Sequence, residues 1–157
     1  MRSFVNIAFY ISLGLLLFSS CDSNRVFEKN IAIDNGIWNA DSIIKFNMEI
    51  EDTLQPYNFY INIRNSTDYR YSNLYLFIDT YFPDDTHARD TLEFLLADSE
   101  GKWFGKGFGK IKESKVLLRK GVHFPMSGHY VFTLQQAMRE ENLEGIEDVG
   151  MRIEKTE

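Results

Sequence analysis

The chain has 157 residues, a single cysteine and a formal charge of −6, from 17 Lys and Arg against 23 Asp and Glu. That length suits one domain and leaves no room for two of ordinary size. One cysteine excludes an internal disulfide and a cysteine-based zinc site, and the acidic balance argues against a phosphate-binding surface for nucleic acid. Aromatic residues make up 15% of the chain, with only 3 Pro, a composition that points to a folded, β-rich domain.

Arg2 is followed by a nearly apolar stretch, 4–18. As a helix this would rise about 22 Å, short of the ~30 Å hydrocarbon core. It matches the apolar region of a secretory signal. Ser19, Ser20 and Cys21 come next, and this arrangement resembles the lipobox of bacterial lipoproteins, with Phe18 where Leu is more usual. The expectation is a signal peptide at 1–20 and cleavage before Cys21, with acyl chains on that cysteine holding the protein on a membrane. Without a lipid, a lone exported thiol would be a redox liability. The mature chain would keep 137 residues (157 − 20) and a charge of −7, since Arg2 is lost. Residues 21–24 then form the lipidated cysteine and a short tether, and 25–157 the domain.

Beyond the tether the dominant period is two. Ile44, Phe46, Met48 and Ile50 alternate with Lys45, Asn47 and Glu49, and Tyr57, Phe59, Ile61 and Ile63 alternate with Asn58, Tyr60 and Asn62. Both are half-buried strands. Around Leu74, Leu76 and Ile78 both faces are apolar, which predicts a central strand. Further strands are expected over 90–97, 115–119 and 129–134, and around Val149, Met151 and Ile153. Turn residues separate them, including Asp34-Asn35-Gly36, Pro83-Asp84-Asp85 and Ser99-Glu100-Gly101. Seven or eight strands at this spacing predict a mainly β domain, an antiparallel β-sandwich or jelly roll. Residues 135–143 are helix formers ending near Gly145 and predict one short helix across an end of the sandwich.

Candidate sites are few. The glycine cluster 101–109 lacks the order of a phosphate-binding loop. It predicts a glycine-rich hairpin whose Trp103, Phe104 and Phe108, with Lys102 and Lys106, form a contact surface for a partner protein or a glycan. Asp84, Asp85, Asp90 and His87 sit close in sequence, but without the spacing of a calcium loop; a polar turn is expected. His87, His123 and His129 fall in no nucleophile motif. No catalytic residue, metal or cofactor is assigned. Asp41-Ser42-Ile43, Asp52-Thr53-Leu54 and Asp90-Thr91-Leu92 resemble the O-glycosylation acceptor of exported Bacteroidota proteins, making Ser42, Thr53 and Thr91 candidate acceptors. The same pattern also starts a strand after a turn.

Six stretches, in order, carry a wider resemblance. They are 35–39 (NGIWN), 50–57 (IEDTLQPY), 61–65 (INIRN), 71–77 (YSNLYLF), 101–105 (GKWFG) and 136–150, from Gln136-Ala137-Met138-Arg139 to Gly145-Ile146-Glu147-Asp148-Val149-Gly150. Behind a lipobox, they resemble the gliding-motility lipoprotein GldH family of Bacteroidota. The resemblance implies a non-enzymatic lipoprotein of the outer membrane, facing the periplasm and supporting gliding and the type IX secretion of surface adhesins. It implies other envelope lipoproteins as partners. A glycan- or peptidoglycan-binding module is the alternative, as is an envelope-assembly factor in a cell that does not glide. The glycan reading expects Trp38 or Trp103 to be exposed on a concave face.

Overall fold

Alternation becomes burial strand by strand. In β3 (Ile44–Ile50) the four apolar residues are buried and Lys45, Asn47 and Glu49 are exposed. The same rule orients β4 (Tyr57–Ser66), where Phe59, Ile61 and Ile63 point inward, and β10 (Ile146–Lys155), where Val149, Met151 and Ile153 do. The computed structural model describes residues 22–156. The expected signal peptide and Cys21 lie outside the described residues.

The remaining strands are β1 (Arg25–Ala32), β2 (Ile37–Asn39), β5 (Asn73–Tyr81), β6 (His87–Leu95), β7 (Ile111–Val122), β8 (Gly128–Gln136) and β9 (Asn142–Glu144). Two antiparallel four-stranded sheets form, in the orders β1-β10-β4-β7 and β3-β8-β5-β6, with β2 and β9 making a small ribbon beside them. Each large sheet interleaves early and late strands, as a jelly roll does. The predicted mainly β sandwich is therefore the observed architecture, and β5 is an interior strand as its two apolar faces indicate.

The core lies between the sheets. Phe59 of β4 meets Phe132 of β8 edge to face at 5.9 Å, and Phe27 of β1 meets Phe46 of β3 at 6.3 Å. Phe124, from the β7–β8 loop, plugs one end against Tyr57, Phe59 and Tyr130, with centroids 4.8–5.4 Å away. Such pairs add to the apolar area they bury.

The predicted helix over 135–143 is absent. Gln135 and Gln136 instead extend β8, opposite Phe77 and Leu76. The chain then turns: Met138 N–H donates to the Gln136 side chain at 2.8 Å, and the Gln136 amide donates to the Glu140 carbonyl at 2.7 Å. Ala137 N–H adds a bond to Tyr75, and Leu143 is buried in the short β9. A nine-residue helix is marginal on propensity alone, and ladder bonds with β5 outweigh it. The one helical element described is a 3₁₀ turn at Asp34–Gly36, at a predicted turn.

The strand registers define two ends. At one, Arg25 opposes Glu154, and Lys155, Tyr57 and Val122 line up. This end carries Asp22 and the loops 51–56, 82–86 and 123–127. The other end carries loops 33–43, 67–72, 96–110 and 137–145.

Candidate functional site

The glycine-rich segment forms a tightly bonded loop at the end opposite Asp22. The Asp98 carboxylate accepts the N–H groups of Glu100 and Lys102 at 3.0 and 2.8 Å, which closes the first turn. Trp103 bridges to Ala97, and Phe104 N–H donates to the Leu96 carbonyl at 2.9 Å. Lys106 and Glu113 then exchange both backbone bonds, at 2.9 and 2.8 Å. Gly107 has φ +147°, and a Cβ there would fall 2.5 Å from the Ile111 carbonyl oxygen. Only glycine lets the loop turn this tightly.

This scaffold divides the candidate contact residues. Trp103 is half-buried against the core. Phe104 is 57% exposed and Phe108 fully exposed, with Lys102 and Lys106 also in solvent. Leu95, at the end of β6, is 59% exposed. Two aromatic rings held in water on a bonded loop, beside two cations on an acidic protein, make a surface suited to a partner. Trp38 is buried at 1% exposure, and its indole N–H donates to the Ser42 carbonyl at 3.0 Å. It offers no platform to a sugar.

The three hydroxyl residues are not brought together. Ser42 is exposed in the turn before β3, and Thr91 is exposed on β6 opposite Phe77. Thr53 is half-buried in loop 51–56, where Asp52 accepts the N–H groups of Leu54 and Gln55.

The acidic turn near His87 holds no cation geometry. Asp84 caps its own turn through the Thr86 N–H and hydroxyl, at 3.1 and 2.6 Å. Among the described residues no group of three or more His, Cys, Asp or Glu side chains converges as metal ligands would. His87 and Arg89 turn instead to Asp79, a cluster the sequence reading missed. Asp79 is 1% exposed on β5. It accepts two bonds from Arg89, at 2.6 and 2.9 Å, one from His87 at 2.9 Å and one from the Thr133 hydroxyl at 3.0 Å. The Arg89 bonds, joined by those of His87 and Thr133, hold the carboxyl well below its ordinary pKa despite burial. Every lone pair direction is used, so the cluster staples β5, β6 and β8. His129 lies 3.4 Å from Glu49 on the surface, and His123 is exposed in the loop after β7.

The outer face of the β1-β10-β4-β7 sheet is polar. Arg152 pairs with Asp22, with Glu28 at 2.7 Å and with Glu154 at 2.5 Å. Lys115 continues the row, 2.6 Å from Glu154 and over the Tyr60 ring at 4.0 Å. These carboxylates and cations are engaged with one another as ion pairs along the sheet.

Residues 25–153 match the family model described as GldH lipoprotein. A gliding motility lipoprotein GldH homolog of Christiangramia forsetii is 42% identical, over 100% of this chain and 99% of its own length. The gliding motility lipoprotein GldH of Flavobacterium johnsoniae is 37% identical, over 91% of this chain and 92% of its own. Among solved structures, a family GH115 4-O-methyl-α-glucuronidase aligns at TM-score 0.46 and 10% identity, covering 88% of this chain and 18% of that one. A family 35 carbohydrate-binding module from Clostridium thermocellum aligns at 0.32 and 9% identity, covering 78% and 97%. The expected family is the observed one: the chain belongs to the GldH lipoprotein family.

Proposed function

We propose that this GldH-family chain works as a two-ended adaptor: lipid on Cys21 holds one end at the membrane, and the loop carrying Phe104 and Phe108 docks a partner at the other. Its family makes it a non-enzymatic envelope lipoprotein associated with gliding motility, lipid-anchored at the outer membrane and periplasmic. Association with other gliding and secretion lipoproteins follows from the same family context.

One observation carries the finer reading. Asp22, next to the proposed lipid cysteine, is paired to Arg152 at one end of the sandwich, and the exposed Phe104 and Phe108 stand at the opposite end. The partner is an envelope protein with an apolar patch and an acidic rim, to meet Lys102 and Lys106. A protein fits better than a glycan. The exposed rings are Phe, and Trp38 is buried. Ser42 and Thr91 are reachable for O-glycan attachment, Thr53 less so; an intact mass equal to the lipidated polypeptide would exclude it.

The test is a Phe104→Ser/Phe108→Ser chain in a gliding host, with Cys21→Ala alongside. The double variant is expected to stay folded and membrane-bound while losing gliding and its co-purifying lipoproteins. The Cys21→Ala chain is expected to lose membrane association. Normal gliding with an unchanged set of co-purifying proteins in the double variant would overturn the docking role.

A further inference from the structure

The two sheets close on one side and open on the other. β1 and β3 meet through Phe27 and Phe46, whereas β6 and β7 are edges of different sheets that do not pair. Between β6 and β7 lies a cavity of about 250 Å³. Its walls are Phe59, Ile78, Leu92, Leu118, Phe132 and Met151. Tyr130 closes the floor, its hydroxyl already donated to the Met126 carbonyl at 2.8 Å. Arg119 and Asp90, 2.9 Å apart and each about half exposed, span the mouth from β7 to β6.

Two features suit this cleft to a ligand. The register of β7 against β4 slips twice beside the cavity, between Tyr57 and Phe59 and between Phe59 and Tyr60. Such bulges re-aim side chains and recur beside binding sites; here they set Leu118 in the wall and Arg119 at the mouth. The lining is mainly apolar, its polar members being Thr80, His123 and the Asp90–Arg119 pair. Apolar cavities of ~150 Å³ stay dry and admit small hydrocarbons.

We propose that the cleft binds one long-chain fatty acid, its hydrocarbon chain between the sheets and its carboxylate on Arg119 in place of Asp90. A mainly apolar lining with a guanidinium at the rim matches that ligand better than a sugar or a peptide, which would need several buried polar partners. Below the ~300 Å³ of common drug-sized pockets, the volume suits one chain and not two. The cavity also sits in the half of the sandwich nearer Asp22, beside Val122 and Phe124. This inference is independent of the docking loop at the far end.

The full chain, exchanged from detergent into amphipol, is titrated with the fluorescent fatty acid cis-parinaric acid. A saturable rise in emission is expected. Leu92→Trp, which fills the cleft, and Ala88→Trp, which blocks its exposed rim, should each weaken binding at least tenfold. Leu117→Trp, on the outer face of β7, should bind as the unaltered chain does. Arg119→Gln should weaken the acid at least fivefold and leave the corresponding alcohol unaffected. Should Leu92→Trp fail to fold, Ala88→Trp decides alone. No saturable signal, or equal titration by the blocking variant, overturns the proposal. So does displacement of the probe only by an apolar peptide and not by palmitate.

Discussion

Arg152 of β10 reaches across the sheet to Asp22, so the start of the described chain is pinned to the last strand, 130 residues away in sequence. The same guanidinium holds Glu28 and Glu154, and its side chain is 13% exposed. Burial opposes its charge, but bonds to Asp22 and Glu154 raise its pKa above the ordinary value. The segment expected to be a short tether is therefore fastened to the domain at Asp22.

Replacing Arg152 by Met would leave three carboxylates facing one another without their common cation. The expected loss is about 2–3 kcal/mol, less than the ~3–5 kcal/mol of a fully buried pair because the partners are partly solvated. Urea denaturation measures it. Asp22→Asn should move global stability much less and should instead speed proteolysis near Arg25, read by mass spectrometry.

Asp79 sets an acid limit. Its folded pKa lies below the ordinary value of 3.8, chiefly through Arg89, then His87 and Thr133. A depressed carboxylate stabilises the fold fully above its unfolded pKa, and that contribution is lost as pH falls below about 4. Asp79→Ala also orphans the buried Thr133 hydroxyl. It should cost about 1–3 kcal/mol at pH 7 and flatten the fall of stability between pH 5 and 2. An unchanged acid limb in stability measured against pH would contradict this.

Asp148 acts in the opposite sense. Burial raises its pKa against the pull of Arg64, 2.6 Å from one oxygen, while the other oxygen has no partner in the protein. The folded state thus binds this proton more tightly than the unfolded one. Its contribution is present below the unfolded pKa and is lost as pH rises through the raised folded value. Asp148→Asn should remove that dependence, leaving a steeper net loss of stability on acidification than the unaltered chain shows. Parallel denaturation curves at pH 7 and pH 4.5 check the sign.

How far the sequence could be followed depended on the range of the interactions. β3 and β4 were legible because a period of two is local and one face is buried. The exposed Phe104 and Phe108 were legible because Gly105, Gly107 and Gly109 leave the loop little else to be. The segment 135–143 misled because its residues favour helix in isolation, whereas β5 supplies the partners for Gln135 and Gln136. Asp79 gave no signal: its partners are 8, 10 and 54 residues away, and only strand pairing gathers them. The cleft was equally hidden, since it arises from register slips in β7 and from which strands end up as edges.

Gly150 records a packing requirement that no local pattern marks. It faces outward on β10, between Asn30 of β1 and Asn62 of β4. Asn30 leans over it to accept a bond from the Asn62 amide at 3.1 Å. A Cβ on Gly150 would stand 1.7 Å from the Asn30 oxygen and 2.7 Å from the Lys29 carbonyl. Gly150→Ala must therefore displace the Asn30 side chain, break its bond to the buried Asn62 and push β1 outward. The expected cost is about 2–3 kcal/mol, combining overpacking with the loss of one of the two bonds of the buried Asn62 amide, which keeps only its 3.3 Å bond to Glu28. Adding Asn30→Gly should restore part of it, since the side-chain clash goes while the Lys29 carbonyl still crowds the new methyl. A double-mutant cycle by urea denaturation measures that coupling. Strict additivity of the two changes would show that Asn30 does not constrain Gly150.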